Sequence, residues 1–438
     1  MLLGIFPNGV HTMNKPKESK KHLSPTVWYI LTGVLWTWPT FIVTGKLLPG
    51  WRAGDISNPL TLASIHALIL GSLLTTACGV LYQVVPIAFQ APPIGRHVAT
   101  WHLPTHTGSV LLMVTGFLMN RWLIVAVGGS ILFAATVVFG AYVVQSYRKA
   151  RNPTAVHQQL LLPFVSLVMV MILGIMMASG WSDPENRLLL THVLLGTFGF
   201  WLGLIMTISY KFVPMFSLSH GYKVAISVTV RLYYAGVGLF LAAAFAPLRL
   251  SSLLHDGSAL LCGAAVILFA LDMRRILRAR KRKRIVPALG YALIATALML
   301  TGASVLLATL VSGAMIWIAP GSYLLLFGGC IALVLSYVQK IVPFLWFEYR
   351  FSHSPDRKNA PALDDMMPKK SVAAGMFLYF LSVLGGFILL LPISPSLGRG
   401  VGDAAGLVIG FIGTSGSVLM FYSMVRVLKI GGRRYRVD

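Results

Sequence analysis

The stretch Ser64–Pro86, SIHALILGSLLTTACGVLYQVVP, decides how this chain is read. It is apolar, carries one histidine near its start and closes on Tyr-x-x-x-Pro. The same outline returns as THVLLGTFGFWLGLIMTISYKFVP from Thr191 to Pro214. It returns again, without the histidine, as GSYLLLFGGCIALVLSYVQKIVP from Gly321 to Pro343. The closing prolines are Pro86, Pro214 and Pro343, and the two intervals between them agree to within one position. Even spacing over most of a chain predicts one structural unit used three times. His66 and His192 stand at nearly the same distance ahead of their prolines, and in the third copy Tyr323 stands as far before Pro343 as His66 does before Pro86.

Working outward, runs of about 20 apolar residues recur along the chain, the length a helix needs to cross a bilayer. Apolar residues make up 56% of the sequence, charged residues 11%, and the mean hydropathy is +0.78, which excludes an ordinary soluble domain. In lipid each backbone polar group must be satisfied within its own segment, so the expected fold class is all-α: a polytopic membrane protein. Twelve segments are predicted, near 26–45, 60–88, 99–118, 121–146, 160–180, 188–216, 223–247, 257–273, 286–311, 314–346, 371–392 and 404–428. They group into three four-helix repeats, about 26–147, 160–273 and 286–428, within one transmembrane domain, 26–428. Tails of 1–25 and 429–438 flank it.

The net charge of +24 has two readings, nucleic acid or topology, and its distribution favours topology. Basic residues gather in alternate connections: Lys15, Lys17, Lys20 and Lys21; Arg148, Lys149 and Arg151; RRILRARKRKR from Arg274 to Arg284; Arg350, Arg357, Lys358, Lys369 and Lys370; and Lys429, Arg433, Arg434 and Arg436. Twelve spans put all of these on one side, so both termini are expected in the cytoplasm of a cell membrane, with no nucleic-acid partner. The Arg274–Arg284 cluster would also meet anionic lipid headgroups of the bilayer. No cleavable signal peptide is evident, and Met13 is an alternative start. The loop near 347–370 is the longest and most polar, and reads as a mobile cytoplasmic segment. Cys78, Cys262 and Cys330 all fall inside predicted helices without a CxxC pair, so neither disulfides nor thiolate metal sites are expected.

His66 and His192 are the first candidates for chemistry. An ionisable residue within a span is costly, and neutral imidazole is a good ligand for haem iron or copper. The plainer reading is a histidine hydrogen-bonded to a neighbouring helix, and duplication can copy a structural residue. His102 and His106 are four residues apart, on one face of a helix, and that spacing can hold a metal. Pro104 between them can instead mark a helix start, with both histidines solvated near the interface. His97, His157, His220, His255 and His353 read as solvated residues of loops or helix ends. Arg231 can pair with an anion such as a haem propionate or snorkel to headgroups. Met169, Met171, Met176 and Met177 suit either copper or simple packing. Every Asp and Glu falls in a loop, tail or helix end, which argues against a cation-coupled pump built on buried carboxylates.

Three arcs of four helices, with histidines near the outer ends of the second and sixth, resemble the haem-copper oxidase subunit I superfamily. Its nitric oxide reductase large subunits and the similar NnrS-type membrane proteins are included in that likeness. The phrases HALILGSLLTTACGVLYQVVP and HVLLGTFGFWLGLIMTISYKFVP carry the resemblance. The resemblance implies that His66 ligates a low-spin haem and His192 a copper ion. Tyr323 takes the place aligned with His66. The chain departs from the family in its seventh segment, VAISVTVRLYYAGVGLF, which lacks the expected histidine pair, and in its tenth, which has no histidine. The expectation is therefore a haem- or metal-binding membrane protein without a complete dinuclear centre. Its role would lie in NO or stress handling, or in haem or copper delivery, with small electron-transfer or oxidase-assembly partners. A transporter without redox cofactor and an active oxidase or NO reductase with unusual ligands are the alternatives.

Overall fold

The computed structural model describes residues 24–55, 57–89, 95–150, 159–183, 185–282, 284–352, 360–392 and 399–431. The outer parts of both tails, the alternative start Met13, and the expected solvated residues His157 and His353 lie outside them. The described residues fold as helices, with no strand among them. We number the helices α1 (Pro25–Arg52), α2 (59–89), α3 (Arg96–Leu118), α4 (Trp122–Arg148), α5 (Leu161–Ala178) and α6 (Arg187–Ser217). The second half holds α7 (Ile226–Phe245), α8 (Leu248–Arg278), α9 (Pro287–Ser312), α10 (Met315–Arg350), α11 (Lys369–Leu390) and α12 (Arg399–Val427). Apolar runs make the helices, and local signals start some of them. Pro25, Pro59 and Pro287 occupy the first turns of α1, α2 and α9, where a missing N–H costs nothing. The Asn58 side chain accepts from the Leu60 N–H at 2.9 Å and caps α2.

Eleven of these helices are long and apolar enough to cross a membrane, which makes the molecule a multi-pass membrane protein in contact with the lipid bilayer. The exception is α3, whose hydropathy is lowered by His97, His102 and His106. Its 23 residues still span about 35 Å at 1.5 Å per residue.

The helices that carry the repeated stretch are the inner ones. Over their most apolar windows α2, α6 and α10 are 72%, 67% and 78% buried, against 28–56% for the other spans. Around them the chain packs in sequence. Broad helix pairs form between α3 and α4, α7 and α8, and α11 and α12, and α1 lies along α12, bringing the end of the chain back to its beginning. Tyr337 of α10 meets Phe212 of α6 edge-on at 5.1 Å and Ser209 at 3.3 Å, so α6 and α10 touch directly.

Each inner helix contains a widened π-helical stretch: Ala67–Leu74, Leu195–Leu202 and Leu324–Ile331. Their first residues follow one another at the same two intervals as the closing prolines. A π turn tilts carbonyls off the helix axis, and such turns concentrate at functional sites. The fourth carbonyl of each stretch accepts from a ring on the following helix. His106 Nε2 donates to Leu70 O at 3.0 Å, Tyr233 Oη to Phe198 O at 2.6 Å, and Tyr379 Oη to Phe327 O at 2.6 Å.

Four expectations need correction. The eighth helix begins at Leu248 rather than 257 and runs to Arg278, because a helix continues past the apolar run that marks a span. That extension puts Asp272 inside α8 and fully buried, not at a helix end. It accepts from Tyr210 Oη at 2.9 Å, the Ala225 N–H at 3.1 Å and Arg275 Nη1 at 3.0 Å, and so ties α6, α7 and α8 together. His255, expected solvated, is half-buried within α8. The segment read as mobile is tied down where it is described. Asp364 pairs with Lys340 of α10 and, at 3.4 Å, with Arg282. Burial alone would raise the Asp364 carboxyl, but these two cations hold it below the ordinary carboxylate range.

Candidate metal centre

The first four helices enclose a polar group in an apolar core. Cys78 and Tyr82 come from α2, His102 and His106 from α3, Tyr29 from α1 and Phe139 from α4. One ligand atom each from Cys78, His102 and His106 lies within 4.8 Å of the others. All three residues are enclosed, at 3%, 6% and 0% exposure. Helix α3 starts at Arg96, so Pro104 sits inside it and His102 and His106 do share one face. The interfacial, solvated reading of this pair is overturned. Cys78, expected to take no part in a metal site, stands in this group. Cys78 and His102 belong to different helices, and only the packing of α2 against α3 makes them neighbours.

The hydrogen bonds determine the His106 tautomer and occupy one nitrogen of His102. His106 Nε2 faces a carbonyl oxygen, so that nitrogen carries the proton and Nδ1 keeps its lone pair. That Nδ1 is buried and has no partner. Tyr29 Oη donates its one hydrogen to Ala99 O at 2.8 Å, leaving its oxygen free to accept from His102 Nδ1 at 3.0 Å. Tyr82 Oη lies 3.1 Å from the same nitrogen. The His102 ring stacks on Phe139, 5.6 Å between centres and 1° from parallel. With Nδ1 bonded to the tyrosines, His102 Nε2 is the nitrogen left without a partner, and it too is buried. Burying a polar nitrogen with no partner costs about 1–3 kcal/mol, a cost that a bound ion or a water between the two rings would offset.

The donor set selects among metals. Two imidazoles and one thiolate form a trigonal set that suits soft ions, monovalent copper above all. Bonds of about 2.0 Å to nitrogen and 2.3 Å to sulfur place trigonal ligands about 3.5–4 Å apart, so closure on an ion requires only small movements. Charge gives the same answer. Between residues 24 and 150 the only carboxylate is Asp55, in the connection before α2. A thiolate neutralises one positive charge, which leaves a monovalent ion electrically balanced in this apolar core and a divalent ion unbalanced.

The second pair lies elsewhere on α2. His66 precedes Cys78 by twelve residues, about 18 Å along the helix. Its ring centre is 6.4 Å from that of His192 on α6, with 32° between planes, so the two histidines do approach one place. His66 Nδ1 donates to Leu62 O at 2.7 Å and His192 Nδ1 to Val170 O at 2.9 Å. Each Nε2 therefore keeps its lone pair. Both residues are half-buried. Tyr323 joins neither pair: its ring stacks on Phe327 at 4.6 Å and its hydroxyl points to Ser382 O at 3.5 Å. Arg231, His97 and His220 are exposed. Met171 is buried in the core, with Met169 and Met176 packed against it.

The sequence signal that could have found the inner set is an asymmetry. Cys78 is the one cysteine of the α2 stretch, four residues before the tyrosine of Tyr-x-x-x-Pro, and His106 stands where α7 and α11 carry tyrosines. No model of a known protein family matches the chain, and no curated protein matches it in sequence.

Proposed function

We propose that this protein is a multi-pass membrane protein that binds monovalent copper as its cargo, on Cys78, His102 and His106, and hands it on. The observation that carries this reading is the enclosed group of Cys78, His102 and His106, with one ligand atom of each within 4.8 Å of the others and one buried, unpartnered nitrogen on each ring. The ion would supply the missing partner to both nitrogens, and the Cys78 thiol would bind as thiolate. The residues do not fit the copper–haem dinuclear centre of the superfamily that the helix pattern resembles. Neither α7 nor α10 contains a histidine, and a copper ion on His192 alone would be poorly held. Delivery of copper to a membrane oxidase is the role that joins this inner site to that resemblance.

The wider organisation belongs to the same reading. Three four-helix units are supported by the matching intervals of prolines and π turns. With α3 counted as a span, twelve crossings bring both termini to the basic, cytoplasmic face of a cell membrane. On this topology α2 runs inward, with His66 in the outer half and Cys78 deeper.

The test is an anaerobic titration of detergent-purified protein with copper(I), against a chromophoric copper(I) chelator. Cys78→Ser and His106→Ala are each expected to lose about one equivalent of tight binding. Variants that bind copper as the unaltered protein does would overturn the proposal.

A further inference from the structure

His66 and His192 hold a place that the inner site does not use. Both rings have their Nδ1–H fixed on a backbone carbonyl, one within α2 and one across to α5, so both present an Nε2 lone pair. Two metal–nitrogen bonds of about 2.0 Å, with the half-width of each ring added, separate ring centres by about 6 Å. The observed 6.4 Å suits one ion held between two imidazoles. Neighbours hold the rings in place. Phe117 of α3 packs on His66 at 4.7 Å. Gly174 of α5 leaves room for His192, since a Cβ there would stand 3.0 Å from His192 Cε1. Among the described residues no third histidine, cysteine or carboxylate joins the pair. Two nitrogens alone suit linear, monovalent copper and leave divalent ions under-coordinated.

We infer that His66 and His192 form a second copper(I) site, an outer one, from which the ion passes along α2 to Cys78, His102 and His106. This inference rests on the copper reading of the inner set. The outer pair is half-buried and the inner set enclosed, which orders them from access to retention. The donors are ordered likewise: two nitrogens outside, two nitrogens and a thiolate inside, so transfer inward runs toward tighter binding. Met113 lies between them on α3, seven residues after His106 and four before Phe117, on the same helix face and buried. Its thioether is a soft ligand of the kind monovalent copper accepts. The transfer is ligand exchange. Copper remains monovalent, no electron moves, and Cys78 releases one proton to solvent as it binds.

The experiment counts copper(I) bound anaerobically to the full chain in detergent, by competition with the chromophoric chelator. It compares the unaltered protein with His66→Leu, His192→Leu and Cys78→Ser, each taken from a monodisperse fraction. The expected result is about two equivalents for the unaltered protein and about one for each variant. X-ray absorption on Cys78→Ser should then show copper with nitrogen ligands only. About one equivalent in the unaltered protein, lost in Cys78→Ser and kept in both histidine variants, overturns the outer site and leaves the inner one standing. Copper binding that Cys78→Ser does not change overturns the inner site instead. A Soret band lost in His66→Leu would place haem there and overturn the outer copper site.

Discussion

Helices α2 and α3 solve the same structural problem as α10 and α11, with a different side chain. In each pair a π turn of the inner helix offers a carbonyl, and a ring on the next helix donates to it: His106 to Leu70 O, Tyr379 to Phe327 O. Helices α6 and α7 do the same through Tyr233 and Phe198 O. Tyrosine, once it has donated its one hydrogen, keeps only a phenol oxygen, a poor ligand for a soft ion, and α10 and α11 close into packing, with Tyr323 stacked on Phe327 and Phe41 edge-on to both Phe327 and Tyr379. Histidine has two nitrogens. When one donates, the other is left with a lone pair in the core, on a ring that groups with Cys78 and His102. A structural hydrogen bond becomes a candidate metal site when its donor ring has a second, oppositely competent nitrogen.

The largest expected effect comes from erasing that difference. His106→Tyr makes the first pair resemble the third: the donor to Leu70 O is kept and the ligand is lost. Copper(I) affinity at the inner site should fall by at least about 100-fold in chelator competition. The extra ring atoms should cost only about 1–3 kcal/mol in detergent unfolding. Retained copper would show that His106 serves the carbonyl alone, as the tyrosines do.

Next is the shell that orients His102. Tyr29→Phe removes the acceptor for His102 Nδ1–H and frees the ring to adopt the other tautomer. Affinity should drop by about 10–100-fold, as for other outer partners of metal-bound histidines, with helix content unchanged by circular dichroism. An unchanged affinity would assign the orientation of His102 to Phe139 and Tyr82.

Smaller still is the counterpart in the third pair. Tyr379→Phe leaves the Phe327 carbonyl without its second donor and should destabilise by about 0.6–1.7 kcal/mol, the range for hydrogen bonds between helices in membranes. Copper stoichiometry should not move. A loss of copper in this variant would break the separation between the two regions.

The smallest effect lies outside the bilayer core. Asp364 is held by Lys340 and Arg282, and its folded value is below the unfolded one. Its contribution is therefore full above the unfolded carboxylate value, near pH 4, and is lost as pH falls through the lower folded value. The pair is partly exposed, so Asp364→Asn should cost at most about 1 kcal/mol at pH 7 and less at pH 2. Equal destabilisation at both pH values would assign the latch to packing rather than charge.

Much of this is legible in the chain itself. Eleven of the twelve described helices follow from apolar runs of bilayer length, and the three inner ones from the stretch that repeats at an even interval. The proximity of His66 and His192 is not legible there. It depends on how α2 and α6 rotate about their axes, which hydropathy does not encode. Nor is Cys78 legible as a partner, since a lone cysteine in an apolar run reads as core. Asp272 reads as a helix end because a charged turn, from Arg274 onward, masks the continuation of α8.

The sequence by itself determined the class of the molecule, the number of its helices, their order and the three stretches at its centre. It could do so because bilayer thickness and backbone hydrogen bonding leave an apolar run of that length a single structural answer. Only the tertiary structure decided which nitrogens are left unpaired and which sulfur stands beside them. The hydrogen bond between Leu70 O on α2 and His106 on α3 is set by helix packing, and it determines which atom of the ring remains to bind a metal.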